Sequence, residues 1–136
     1  MIVIACVDDN MGMMFNNRRQ SKDIVVIQKI LEITKGQNLW MSRYSFEMFK
    51  DFDYSNINVE EMLMSETPQG EYCFLEDKEI YPYQKWVDKV ILFRWNRDYP
   101  YDKKFDDIDL NNWKLVEREE LIGNSHDKIS MEVYVR

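Results

Sequence analysis

Asp23 heads a stretch in which apolar residues recur at 24, 27 and 31 and, with the carboxylate itself, at 23, 27 and 30. That spacing is helical, and Gly36 is a natural stop for the helix. A carboxylate at this position has two uses. It can cap the helix, a task Ser21 could also perform. Alternatively, on the same helix face as Ile27, it borders the core, where a carboxylate can accept charge-assisted hydrogen bonds from a ligand.

Other chemically useful residues are sparse. His126 is the only histidine, which excludes the histidine-rich clusters of zinc hydrolases. Beside Ser125 it forms no triad and reads as a surface residue of a hairpin loop. Asp102, Asp106, Asp107 and Asp109 share one polar loop without the glycine and terminal glutamate of a calcium loop, so no metal is expected there. Cys6 and Cys73 lie in separate apolar runs without CxxC spacing and read as small buried hydrophobes. Trp40, Trp86, Trp95 and Trp113 sit in or beside predicted elements and read as core.

The totals constrain the class. A net charge of −7, from 25 acidic and 18 basic residues, argues against a nucleic-acid partner, whose binding draws on clustered Lys and Arg. Arg18-Arg19 is too small a basic patch to change that. With 136 residues, 45% apolar and 14% aromatic, one packed domain over 1–136 is expected. No apolar run approaches membrane-spanning length and no leader pattern opens the chain, so a soluble, cytoplasmic protein with no membrane partner is expected.

The elements that must position these residues follow from patterning. Residues 1–7 read as a strand buried on both faces, 8–22 as a polar loop and 23–35 as a helix. A short strand over 38–41 is followed by a helix over 46–52 and a turn or two of helix within 59–64. A strand over 71–75 precedes a helix over 79–86, with Pro82 in its first turn. Residues 89–95 form a second core strand, 96–112 a long polar loop, and 113–121 with 128–136 an antiparallel hairpin. This order implies an α/β fold: a mostly parallel sheet with an antiparallel edge, flanked by about three helices.

Four stretches resemble the dihydrofolate reductase family. Residues 2–12 with Asn16-Asn17 are similar to its first strand and active-site loop. Residues 40–47 (Trp-Met-Ser-Arg-Tyr-Ser-Phe-Glu) are similar to its strand-to-helix turn. Residues 81–92 resemble the helix and strand after its cofactor turn, and 113–136, with Asn124-Ser125-His126, its closing hairpin. The resemblance implies a dihydrofolate reductase-like sheet in which Cys6 and Cys73, both reduced, lie on neighbouring central strands. It implies Asp23 as the pterin-binding acid if the preceding loop is shortened; an ungapped alignment puts Val26 there instead. Ala5, Met13, Ile27, Ser42, Arg43, Tyr44 and Ser45 are the ligand-binding positions it implies.

The departures bear on function. The family's Gly-Gly turn for the cofactor pyrophosphate corresponds to Glu76-Asp77, whose charges repel phosphates and whose side chains fill the space the glycines leave. Ser42 stands where a glycine precedes the arginine, and Phe93 where a threonine supports the acid. No Arg or Lys lies between Lys50 and Lys78 to meet a substrate's glutamate tail. Two functions remain. One is a catalytically lapsed binding or assembly module that uses no cofactor. The other is a divergent NADPH-dependent reductase or a binder of a pterin- or nucleotide-like small molecule, using the cleft near Asp23. A small molecule, a protein or a second copy of the chain is the partner either reading allows.

Overall fold

The computed structural model describes residues 1–136. In chain order its elements are β1 (Ile2–Val7), β2 (Gly12–Phe15), β3 (Arg18–Arg19), α1 (Ile24–Ile33), β4 (Leu39–Met41), α2 (Arg43–Phe49) and β5 (Ile57–Val59). Then follow α3 (Leu63–Glu66), β6 (Tyr72–Phe74), β7 (Lys89–Arg94), β8 (Lys103–Lys104), β9 (Lys114–Leu121) and β10 (Ile129–Val135), with short 3-10 turns at Gln84–Trp86 and Leu110–Asn112.

The main sheet has seven strands in the order β5-β4-β6-β1-β7-β10-β9. The first five are mutually parallel; β10 and β9 are antiparallel. The sheet is therefore the mostly parallel one with an antiparallel edge that the patterning implied. β1 is central because its residues are apolar on both faces. Val3, Ala5 and Val7 join Val90, Leu92, Cys73 and Leu75 on one side. Ile4 joins Ile91, Phe93 and Phe74 on the other.

Helices α1 and α2 cover that second side, contributing Val26, Ile27, Ile30 and Phe49. Phe49 meets Phe74 edge to face, with ring centres 5.3 Å apart, a favoured aromatic geometry. The first side is covered by Leu63 and Met64 of α3 and by Ile80, Val87, Phe105 and Ile108 from connecting segments. Cys73 pairs in register with Val3, so the two free cysteines do lie on the neighbouring strands β1 and β6. No helix is long and apolar enough to cross a membrane.

Four expectations need correction. The helix over 79–86 is reduced to the 3-10 turn at Gln84–Trp86. A residue before proline disfavours the helical region, so Tyr81 cannot continue a helix into Pro82, and their peptide bond is cis. The second helix begins at Arg43, three residues earlier than expected, because Ser42 caps it by accepting from the Ser45 N–H at 3.3 Å. Ile57–Val59 forms an edge strand where none was expected.

Finally, the polar loop 8–22 is not loop throughout. β2 and β3 form a hairpin whose two turn residues, Asn16 and Asn17, have φ of 55° and 61°. Paired left-handed residues are what a two-residue hairpin with the sheet's twist needs, and Asn tolerates them. β8 adds to β2 from the second polar loop, closing a small three-stranded sheet.

Candidate functional site

The carboxyl ends of parallel strands form the crevice where ligands of open α/β sheets usually bind. Here β1 and β6 end side by side, with the amino terminus of α2 beside them. Glu76, two residues beyond β6, is buried. Its carboxylate accepts from Arg19 Nε at 2.9 Å and Arg19 Nη2 at 3.0 Å, a two-pronged pair, and from Ser45 Oγ at 2.9 Å. Arg19 comes from β3, so the hairpin 12–19 carries a guanidinium into the crevice. Burial alone would lower the Arg19 pKa; Glu76 more than reverses this and raises it.

Tyr44 completes the cluster. Its hydroxyl accepts from the Arg19 N–H at 2.7 Å, its carbonyl accepts from Nη2 at 3.3 Å, and the guanidinium lies 4.4 Å from its ring centre. Ser42 Oγ donates to Asp77 at 2.7 Å. The Cys6 thiol, at the end of β1, has its pKa pushed up by burial and by the Glu76 charge. The donors at this edge are thus committed to the chain's own acids. A pyrophosphate set here would meet two carboxylates, and neither serine hydroxyl is free to bind it. The residues at this turn do not fit the pyrophosphate of a nicotinamide cofactor.

Asp23 lies elsewhere, at the junction of α1 with the hairpin β9–β10. It is the α1 cap, accepting from the Val25 N–H at 2.9 Å. It also accepts from the N–H groups of Asn124 at 2.9 Å and Ser125 at 2.7 Å, from Ser125 Oγ at 3.1 Å, and from His126 Nδ1 at 3.1 Å. Burial pushes the carboxyl pKa up; the N–H groups of Asn124, Val25 and Ser125, with His126, overcome this and hold it well below the usual carboxylate range. His126 is not a surface residue: only 3% exposed, it stacks on Trp95 with ring centres 4.6 Å apart. Its Nε2 meets Ser21 Oγ at 3.1 Å and Tyr99 OH at 3.0 Å. Both ring nitrogens therefore have partners, so the polar ring is compatible with burial.

Of the expected ligand-binding residues, Ser42, Tyr44 and Ser45 come together in the crevice. Arg43 is exposed; its backbone N–H donates to Glu61 at 2.7 Å. Ala5, Met13 and Ile27 are core residues. Val26, the ungapped alternative to Asp23, is 1% exposed in the core. Two site residues are not marked as such in the sequence: Arg19, half of a small basic patch, and Glu76, which by type is only an obstacle to phosphate. The four loop aspartates diverge; Asp102 accepts from the Asn16 N–H at 3.0 Å, Asp107 from the Tyr81 N–H at 3.2 Å, and Asp109 caps the second 3-10 turn.

A solved structure of dihydrofolate reductase from Enterococcus faecalis, complexed with NADP(H) and RAB-propyl, superposes with a TM-score of 0.69 over 99% of this chain and 95% of that one. The sheet order, the helix placement and this superposition agree. The chain has a dihydrofolate reductase-like fold. At 14% identity the likeness concerns architecture alone. No family model and no curated protein matches the sequence.

Proposed function

We propose that this protein is a catalytically lapsed member of the dihydrofolate reductase-like fold, acting in the cytoplasm as a binding or assembly module and using no nicotinamide cofactor. One observation carries this reading: the Arg19–Glu76 pair, with Ser45 and Tyr44, occupies the crevice that a cofactor would need. The Asp23 carboxylate supports it, because it is spent on the α1 cap and the hairpin turn and has no oxygen free for a pterin ring.

The test is a titration with NADPH followed by intrinsic tryptophan fluorescence, together with an absorbance assay of dihydrofolate reduction. No saturable quenching and no turnover above background are expected. Saturable binding at micromolar NADPH, or clear turnover, would overturn the reading.

A second reading, a binder of a pterin- or nucleotide-like small molecule, has one observation in its favour. A cavity of about 410 Å³ lies beside β3, lined by Arg18, Arg19, Gln20 and Tyr99 among others. Gln20 Oε1 is buried there without a hydrogen-bond partner, a costly state that a ligand donor would relieve. Folate analogues added in the same fluorescence titration distinguish it, since this reading requires binding that NADPH does not compete away.

A further inference from the structure

A cavity of about 440 Å³ lies on the α3 side of the sheet, between β7, β10 and the segment 104–111. It shares no lining residue with the Arg19–Glu76 crevice. That volume falls within the usual range for small-molecule sites. Met11, Phe105, Ile108, Leu110 and Tyr134 form much of its wall, and Arg94 reaches it from the end of β7. Nε of Arg94 pairs with the buried Glu132 of β10. The outer edge of the guanidinium is less well used. Nη1 has only the Met11 sulfur, at 3.6 Å, and Nη2 only the Tyr134 hydroxyl, at 3.5 Å. The Tyr134 distance is long for an N–H···O bond, a thioether sulfur is a weak acceptor, and both partners line the cavity.

The surrounding charge decides what this edge would take. Arg94 and Lys104 face the cavity with Asp106 and Asp109. Behind them Glu132 is shared with Arg118, whose Nη1 lies 3.5 Å away. Positive and negative charges balance, so a monoanion can gain the guanidinium fork without a net opposing field. The second charge of a dianion would find no cation there beyond Arg94 and Lys104 and would add to the repulsion from both aspartates.

We propose that this cavity binds a small monocarboxylate with an apolar body, its carboxylate held by Nη1 and Nη2 of Arg94 and its body against Met11, Ile108, Leu110 and Tyr134. The site is independent of the lapsed crevice. A protein that does no reductase chemistry could therefore still bind a ligand here.

The test is an NMR titration of the full chain with phenylacetate, following the methyl resonances of Met11, Ile108 and Leu110. Benzyl alcohol and phenyl phosphate serve as comparators. Saturable phenylacetate binding with shifts centred on these methyls is expected, with both comparators weaker. Arg94→Lys keeps a charge beside Glu132 but loses the planar fork, and should weaken phenylacetate about tenfold. Leu110→Trp fills the cavity without touching the ion pairs and should abolish the shifts. Melting curves of both variants confirm that they fold; if one does not, the other carries the test. The proposal fails if phenylacetate does not saturate up to its solubility limit, or if benzyl alcohol or phenyl phosphate binds as well. It also fails if a folded Leu110→Trp or Arg94→Lys protein binds phenylacetate as the parent does.

Discussion

Replacing Asp23 by asparagine distinguishes a helix cap from a buried junction. As a cap alone the change would be nearly neutral, because Asn caps about as well as Asp. The geometry requires more. Oδ1 accepts two backbone N–H groups, of Val25 and Asn124, each at 2.9 Å. Oδ2 accepts the Ser125 N–H, its hydroxyl and His126 Nδ1, at 2.7 to 3.1 Å. An amide keeps one oxygen and sets an NH2 group against the other donors. Whichever way it turns, at least one buried N–H loses its acceptor, at about 1–3 kcal/mol, and the remaining bonds lose their charge assistance. The total is about 3 kcal/mol, or about 10 °C in Tm for a chain of this size. The pH dependence carries the sign. The folded-state pKa of Asp23 is depressed, so its contribution is complete above the ordinary carboxylate value of 3.8 and is lost as pH falls through the lower folded value. Thermal melts by circular dichroism should therefore show a constant gap between parent and Asp23→Asn from neutral pH down to about pH 5, narrowing only at strongly acid pH. A gap under about 0.5 kcal/mol at pH 7, the ordinary range for surface changes, would refute the junction and leave only a cap.

Three other outcomes follow from the same contacts. Gly123→Ala should cost about 2 kcal/mol or more in chemical denaturation, because a Cβ there would stand 2.5 Å from the His126 carbonyl and 2.7 Å from Asp23 Oδ2. Full parental stability would mean the turn has room to shift. Arg19→Met should cost about 3 kcal/mol by stranding the buried Glu76, and adding Glu76→Gln should restore part of it; additive losses in this cycle would show that the pair is not coupled. Ellman titration should find no reactive thiol in the folded protein and two after unfolding, since burial pushes Cys73 up to about 12 and also raises Cys6. Rapid labelling of the native protein would contradict this.

Much of the fold was legible because its strongest patterns are local. Residues 1–7 and 90–93 are continuous apolar runs and form the heart of the central pair β1 and β7. The closing hairpin appeared almost where alternation placed it, as β9 and β10. What stayed hidden depended on partners distant in sequence. β8 is a strand only because β2 lies beside it, and two-residue strands carry no periodicity of their own. The Asn16-Asn17 hairpin was readable in principle, as a left-handed-tolerant pair between Phe15 and Arg18. His126 was misjudged for a related reason. Its burial depends on Asp23 and Ser21, more than a hundred residues away in sequence, and on Tyr99 and Trp95, about thirty away.

Whether a side chain or the fold closes the crevice depends on how Arg19 is anchored. An arginine on a mobile loop could swing aside for a ligand at the cost of one pairing. Arg19 has no such freedom. Its backbone N–H is bonded to Tyr44 OH, its strand is paired to β2, and β2 is paired to β8. The hairpin turn is tied again where the Asn16 N–H donates to Asp102. Withdrawing the guanidinium would leave Glu76, which is 7% exposed, without a cation and with only the Ser45 hydroxyl as a side-chain donor. Breaking one partner of such a buried pair costs about 3–5 kcal/mol. A ligand would need that much extra affinity, a factor of about a hundred to a few thousand at about 1.4 kcal/mol per tenfold, to enter the crevice. Closure of this kind is a standing property of the native state, which is why binding in this protein is better sought outside the crevice.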